Sequence, residues 1–124
     1  MNLVRNIEWT VVLRAFALCV IAPWAVVYMA LLWLTLPVQP LTFSQVTLGA
    51  VVVGAAYFAS PLAAAYFAAR AASSRPLAHA MITVALGVAV YVAFFEESAF
   101  ALIIWPVMGL LGAMPFLRRP QAEA

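Results

Sequence analysis

The sequence predicts an all-α integral membrane protein, a four-helix bundle formed by one transmembrane domain over residues 1–124. The first reason is composition, since 69% of the residues are hydrophobic and 8% are charged, whereas a soluble domain is about 25% charged. The second is the absence of charge between Arg14 and Arg70. A helix crosses the hydrocarbon core with about 20 residues, so this stretch must contain two crossings. Lipid is therefore the solvent for much of the surface.

The first helix is predicted over about residues 9–36. Pro37 and Pro40 end it, because prolines beside polar residues mark a loop. The segment is long for a signal-peptide core, and no small-x-small cleavage site precedes Pro37, so we interpret it as a retained helix. Pro23 predicts a kink, which membrane helices tolerate. The polar residues assigned to the loop are Thr42, Ser44 and Gln45.

The second helix is predicted over about residues 47–70 and is rich in small residues at spacings of four. Such spacing aligns side chains on one helix face. A small face lets two helix backbones approach closely, which favours association within lipid. We therefore expect this helix to be the packing centre, with a kink near Pro61. The candidate helix-packing residues are Gly49, Gly54, Ala55, Ala59, Ser60 and Ala63.

The third and fourth helices are predicted over about residues 77–95 and 99–117. They are separated only by Glu96-Glu97-Ser98, so they must form an antiparallel hairpin. Ser98 is suited to the N-cap of the fourth helix, whose positive end favours nearby carboxylates. Pro106 predicts a kink in this helix.

The arginines predict the topology. All basic residues are arginine, and a cytoplasmic N-terminus would put every one of them inside, as the positive-inside rule expects. We therefore predict an N-in/C-in, multi-pass protein of a bacterial inner membrane; the exclusive use of arginine fits a GC-rich bacterial genome. The residues concerned are Arg5, Arg14, Arg70, Arg75, Arg118 and Arg119.

Several functional classes are disfavoured by what the sequence lacks. Cys19 is the single cysteine, so it forms neither an internal disulfide nor a CxxC redox centre. The scattered arginines form no aromatic–basic cluster, which argues against a nucleic-acid partner. A proton-coupled exporter needs a carboxylate within the membrane, and no charged residue lies at the midpoint of a predicted helix. We predict no catalytic, metal or cofactor-binding residues.

Four polar residues are the possible functional positions. Arg14 lies about one turn inside the first helix and can reach the inner headgroups; alternatively, it pairs with a partner subunit or an anionic ligand. His79 is expected to be an interfacial polar residue, with haem ligation beside a second subunit as the alternative. Glu96 and Glu97 point about 100° apart on a helix, which favours a cap and topology marker over a cation or catalytic site.

Three functions of different classes remain. The first is a non-catalytic accessory or structural subunit of a larger membrane assembly, which suits the small helix faces and the lack of extramembrane mass. The second is a homo-oligomeric channel or transporter, with Tyr57 and Ser60 from several copies lining a path. The third is a membrane enzyme that uses Glu96 or Glu97. The predicted partners are the lipid bilayer and either other membrane subunits or further copies of the chain.

Overall fold

The protein is a bundle of four packed helices, as predicted. A computed structural model describes residues 6–36, 40–95 and 99–117. Glu96 and Glu97, together with Ser98, lie outside the described residues, as do Arg5, Arg118 and Arg119. The elements are α1 (Trp9–Thr35), α2 (Phe43–Ala71), α3 (Pro76–Phe95), α4 (Ala99–Ala113) and a 3-10 turn (Met114–Phe116).

Three of these helices are long and apolar enough to cross a membrane, so the chain is a membrane protein. They are α1, α2 and α3, with 27, 29 and 20 residues. The shorter α4 has 15 residues and rises about 22 Å. The following 3-10 turn adds about 6 Å. This length is close to the roughly 30 Å hydrocarbon core, and a fourth crossing remains a prediction.

The start of α2 corrects the predicted boundary. The helix begins at Phe43, about one turn before the expected residue 47. Thr42 and Gln45 form a capping box, in which the Gln45 N–H donates to the Thr42 hydroxyl (3.4 Å) and the Thr42 N–H donates to the Gln45 side-chain oxygen (2.9 Å). The polar residues that were assigned to a loop therefore cap the start of α2, where they satisfy backbone N–H groups that have no partner within the helix.

The end of α4 also differs from the prediction. The α-helix stops at Ala113 rather than Leu117, and the chain tightens into the 3-10 turn. Pro115 explains the change, because it has no N–H to donate to the carbonyl four residues earlier. The earlier prolines do not end their helices, since Pro23, Pro61 and Pro106 each lie inside one. The kinks expected there stay predictions.

The interior of the bundle lies where α2 and α3 meet their neighbours. Both helices pack on α1 and on α4 as well as on each other. Many of the core residues contributed by α2 are alanines, which brings the neighbouring helices close. The buried core cluster consists of Cys19, Ala64, Ala65, Ala69, Ala80, Val84, Tyr91, Trp105, Ala113 and Phe116.

The small residues of α2 divide between the interior and the surface. Ser60 is buried together with Ala64 and Ala68, so this face packs within the chain. Ala55 and Ala59 are exposed, and a Cβ added at Gly54 would have no heavy atom within 4 Å. Gly49 is buried near Leu34, and Ala63 is partly buried. The exposed small residues do not pack inside this chain.

The glycines that allow close helix approach lie in α3 and α4. A Cβ added at Gly112 would overlap the Leu62 carbonyl oxygen of α2. At Gly109 it would come within 2.8 Å of a Val84 methyl carbon. Of the glycines, Gly112 therefore has the tightest contact with a neighbouring helix, although it has no small residue four positions away.

Candidate functional site

A cluster of polar residues from different helices surrounds the turn between α2 and α3. Helix α2 ends where the Ala72 N–H donates to the Ala68 carbonyl (3.1 Å). Arg75 then adopts a positive φ of 49°, a left-handed conformation that costs about 1 kcal/mol for a residue with a side chain. Pro76 follows at the first position of α3, where its fixed φ suits a helix start.

The Arg75 carbonyl caps the start of α3 and also holds a histidine ring. It accepts the N–H groups of Ala78 (3.0 Å) and His79 (3.3 Å). The His79 ring nitrogen Nδ1 also lies 3.0 Å from this oxygen. The Arg75 carbonyl oxygen thus lies within hydrogen-bond distance of three nitrogen atoms, two from the backbone and one from the His79 ring.

His79 is fully buried among the helices, and its expected place at the membrane interface stays a prediction. Its Nε2 accepts the backbone N–H of Glu8 at 2.9 Å. The neutral tautomer with its proton on Nδ1 satisfies both ring contacts, since Nδ1 then donates to Arg75 and Nε2 accepts. The Thr83 hydroxyl donates to the His79 carbonyl at 2.8 Å. The ring lies inside because the start of α1 covers it.

Glu8 connects the start of α1 to the same turn. It occupies the N-cap position of α1 without a side-chain hydrogen bond to its own helix. Its carboxylate instead accepts the Ser73 backbone N–H at 2.9 Å and the Ser73 hydroxyl. Together with the bond to His79, this ties α1 to α3 and to the α2–α3 turn. We call Glu8, Ser73, Arg75 and His79 the polar clasp, and its end of the bundle the arginine end.

The hydrogen bonds from Ser73 lower the pKa of the Glu8 carboxyl. The Ser73 hydroxyl is the largest cause and its backbone N–H the second; the Ser74 N–H adds to them, while partial burial opposes them. Hydrogen bonds to a carboxylate favour its charged form. A lowered folded-state pKa means that Glu8 stabilises the fold above its unfolded pKa of about 4.3 and loses this contribution as pH falls through the folded value.

We expect acid to weaken the clasp through Glu8. Between pH 7 and pH 3, the wild-type protein should lose more stability than Glu8→Gln, by less than about 1 kcal/mol because the carboxylate lies near water. The measurement is denaturation in mixed micelles followed by circular dichroism across this range. Identical pH dependence in the two proteins would contradict a stabilising carboxylate.

The clasp contains residue types found in hydrolases, but its geometry differs. A nucleophile needs a base within hydrogen-bond reach. The Ser73 hydroxyl donates to the Glu8 carboxylate rather than to His79. Both His79 nitrogens contact backbone groups, and its ring has no exposed surface. Among the residues that the structure describes, no three metal-ligating side chains cluster. The clasp as arranged is a structural connection between helices.

A second internal feature is an aromatic cluster of Tyr57, Tyr91 and Trp105. The Trp105 ring is fully buried, with its centroid 4.6 Å from that of Tyr91 and 5.4 Å from that of Tyr57. Gly87 makes room for it, since an added Cβ would lie 3.1 Å from the Trp105 Cζ3. The indole N–H has no hydrogen-bond partner within the described part of the chain. These rings fill the interior where α2, α3 and α4 meet.

Three members of the clasp, Glu8, Ser73 and Arg75, were not candidate functional residues. Glu8 is one of four acidic residues in the chain, and the predicted topology places it on the same side of the membrane as Ser73. Of the residues that were candidates, His79 belongs to the clasp, and Arg14 lies on the exposed surface of α1 beside an apolar groove. Ser60 is buried within α2 and joins neither feature in the hydrogen bonds described above.

Comparison of the chain with protein-family models, curated proteins and solved structures gives no match.

Proposed function

We propose that this chain is a non-catalytic subunit of a larger assembly in a bacterial inner membrane, and that it binds its partner through helix surfaces within the bilayer. The observation that supports this most is an apolar groove of about 410 Å³ between α1 and α2, at the end opposite the clasp. The groove is lined by Ala25, Val26, Met29, Ala30, Trp33, Leu48, Gly49 and Val52.

The position of α1 favours an external partner. Only 17% of its most apolar segment is buried within the chain, against 39% for α3. Small residues border the groove at Ala25, Ala30 and Gly49, and small residues let another helix backbone approach closely in lipid. A partner helix could therefore gain packing contacts there that lipid tails, being mobile, supply less well.

A second surface on α2 fits the same proposal. Ala55 and Ala59 lie one turn apart and are both exposed, while Gly54 has open space beside it. These small residues therefore do not pack against another helix of this chain. A partner or a second copy could use it for close helix packing.

The internal polar groups support a structural role over transport or catalysis by a single copy. Glu8, Ser73 and His79 bond to one another and to backbone at the arginine end. Further along the bundle, the rings of Tyr57, Tyr91 and Trp105 fill the interior. The enzyme hypothesis rests on Glu96 and Glu97, which lie outside the described residues.

We further propose that the arginine end faces the cytoplasm. Arg14 near the start of α1, Arg70 at the end of α2 and Arg75 before α3 all belong to this end of the bundle. The opposite end carries no charge in its described segment, residues 40–47. Arginine on one side of the bilayer is the pattern of cytoplasmic loops.

Filling the groove should release the partner. We expect Ala25→Leu, which adds an exposed side chain in the groove without burial in the core, to reduce recovery of a fixed-stoichiometry membrane partner at least fivefold. Ala89→Leu is the matched control, because Ala89 is exposed on α3 away from the groove. The measurement is affinity purification in mild detergent followed by mass determination of the intact complex.

Two outcomes would contradict the proposal. Equal partner recovery for wild type, Ala25→Leu and Ala89→Leu would show that the groove is not the interface, and Ala59→Leu then tests the second surface by the same assay. A wild-type protein that emerges alone, as a defined homo-oligomer, would argue for a homo-oligomeric channel or transporter instead. Flux measurements in proteoliposomes with Ser60→Ala would follow from that result.

A further inference from the structure

A second groove lies at the arginine end, between the first turns of α1 and the last turns of α2. Its volume is about 420 Å³. One charged residue, Arg14, stands among apolar side chains, and the groove is distinct from the apolar one at the opposite end. The lining consists of Val11, Arg14, Ala15, Leu18, Phe67 and Ala71.

The charge of Arg14 is not neutralised within the described part of the chain. Arg14 is exposed and forms no hydrogen bond or ion pair with any residue that the structure describes. Among the described residues at this end, the carboxylate belongs to Glu8, which accepts both donors of Ser73. The groove therefore suits an anionic occupant.

The depth of Arg14 selects the kind of anion. It lies five residues after the first residue of α1, about 8 Å along the helix. A long basic side chain at this depth extends toward the headgroups while its stem stays in apolar surroundings. Leu18 lies one turn further along α1, about 6 Å deeper, and Phe67 of α2 lines the same groove. The groove thus combines the positive charge of Arg14 near the membrane surface with apolar side chains deeper in the bilayer.

We propose that this groove binds an anionic phospholipid, with its phosphate on the Arg14 guanidinium and an acyl chain along Leu18 and Phe67. Basic pockets between membrane helices on the cytoplasmic side are suited to anionic headgroups, and guanidinium donates two parallel hydrogen bonds to phosphate oxygens. The apolar side chains of Leu18 and Phe67 favour a lipid over inorganic phosphate, which has no acyl chain to contact them. The site is independent of the partner groove, so either can fail without the other.

The test is lipid binding by native mass spectrometry of the delipidated full chain in detergent. The probes are phosphatidylglycerol, phosphatidylcholine with the same acyl chains, and inorganic phosphate. We expect the wild-type protein to retain phosphatidylglycerol in preference to phosphatidylcholine, and Arg14→Gln to reduce this preference about fivefold, the effect of one basic residue near a membrane surface. Arg70→Gln is the matched control, because it removes the same charge at the same end outside the groove.

The variants also separate the headgroup contact from the acyl-chain contact. Phe67→Ala should weaken phosphatidylglycerol retention at least twofold while Arg14 is intact, and circular dichroism checks that each variant keeps its helices. Equal retention of the two lipids by the wild type would overturn the proposal. So would equal losses in Arg14→Gln and Arg70→Gln, or displacement of the lipid by equimolar inorganic phosphate, which would indicate a simple phosphate site.

Discussion

Replacing Trp105 with alanine is expected to lower the free energy of unfolding by about 2–4 kcal/mol. Truncating a buried tryptophan in a soluble protein costs about 3–5 kcal/mol, partly through lost transfer from water and partly through the cavity left behind. In a bilayer the transfer term is small, because lipid tails are as apolar as the protein interior. The cavity term remains, since the Trp105 ring is fully buried against Tyr57 and Tyr91.

The matched variant is Trp105→Phe. It keeps an aromatic ring in the cluster and removes the indole N–H, which has no hydrogen-bond partner in the described structure. A swap that keeps most of the volume usually costs less than about 1.5 kcal/mol. Denaturation in mixed micelles, followed by far-ultraviolet circular dichroism, measures both. Equal losses for Trp105→Ala and Trp105→Phe would contradict ring packing as the source of stability.

Replacing Gly112 with alanine is expected to cost about 2 kcal/mol or more, although alanine is the better helix former. A Cβ there would overlap the Leu62 carbonyl oxygen and approach the Ala65 Cβ to 3.2 Å. The overlap involves backbone, which cannot rotate away as the end of a side chain can, so α4 must move off α2. Overpacking of this kind typically costs 1–3 kcal/mol.

Gly54→Ala serves as the control, because it is expected to raise the free energy of unfolding rather than lower it. Its added Cβ meets no atom within 4 Å, and replacing a helical glycine with alanine gains up to about 1 kcal/mol. The same mixed-micelle denaturation compares the two variants. If Gly112→Ala were as stable as Gly54→Ala, the close approach of α4 to α2 would be refuted.

The positions of the helices along the chain could be predicted closely, because the length of each apolar segment and the turn residues between segments determine them locally. The errors lie at helix ends, where a capping contact or a proline decides the boundary. Thr42 and Gln45 bond to each other and extend α2 by a turn, while Pro115 tightens the end of α4. The capping pair was visible in the sequence, but its polar residues also fit a loop, and only the hydrogen bonds distinguish the two.

The clasp shows why the candidate polar residues were harder to predict. His79 was a candidate because it is the single histidine, yet its burial depends on the start of α1, which covers it from 71 positions earlier in the chain. Glu8 bonds to Ser73 across 65 positions. No local pattern specifies such pairs, because residues far apart in the chain meet only after the helices have packed.

The small residues of α2 mark the same division between sequence and tertiary structure. Apolar helices with small-residue faces could be predicted from the sequence alone, because composition and spacing within one helix need no partner. Which small residues face the interior depends on tertiary packing, which buries Ser60 and Ala64 and leaves Ala55 and Ala59 exposed. The same packing brings Gly112 against the backbone of α2. In lipid a spanning helix is apolar on all faces, so hydrophobicity does not select the inward face, whereas close fit between backbones does.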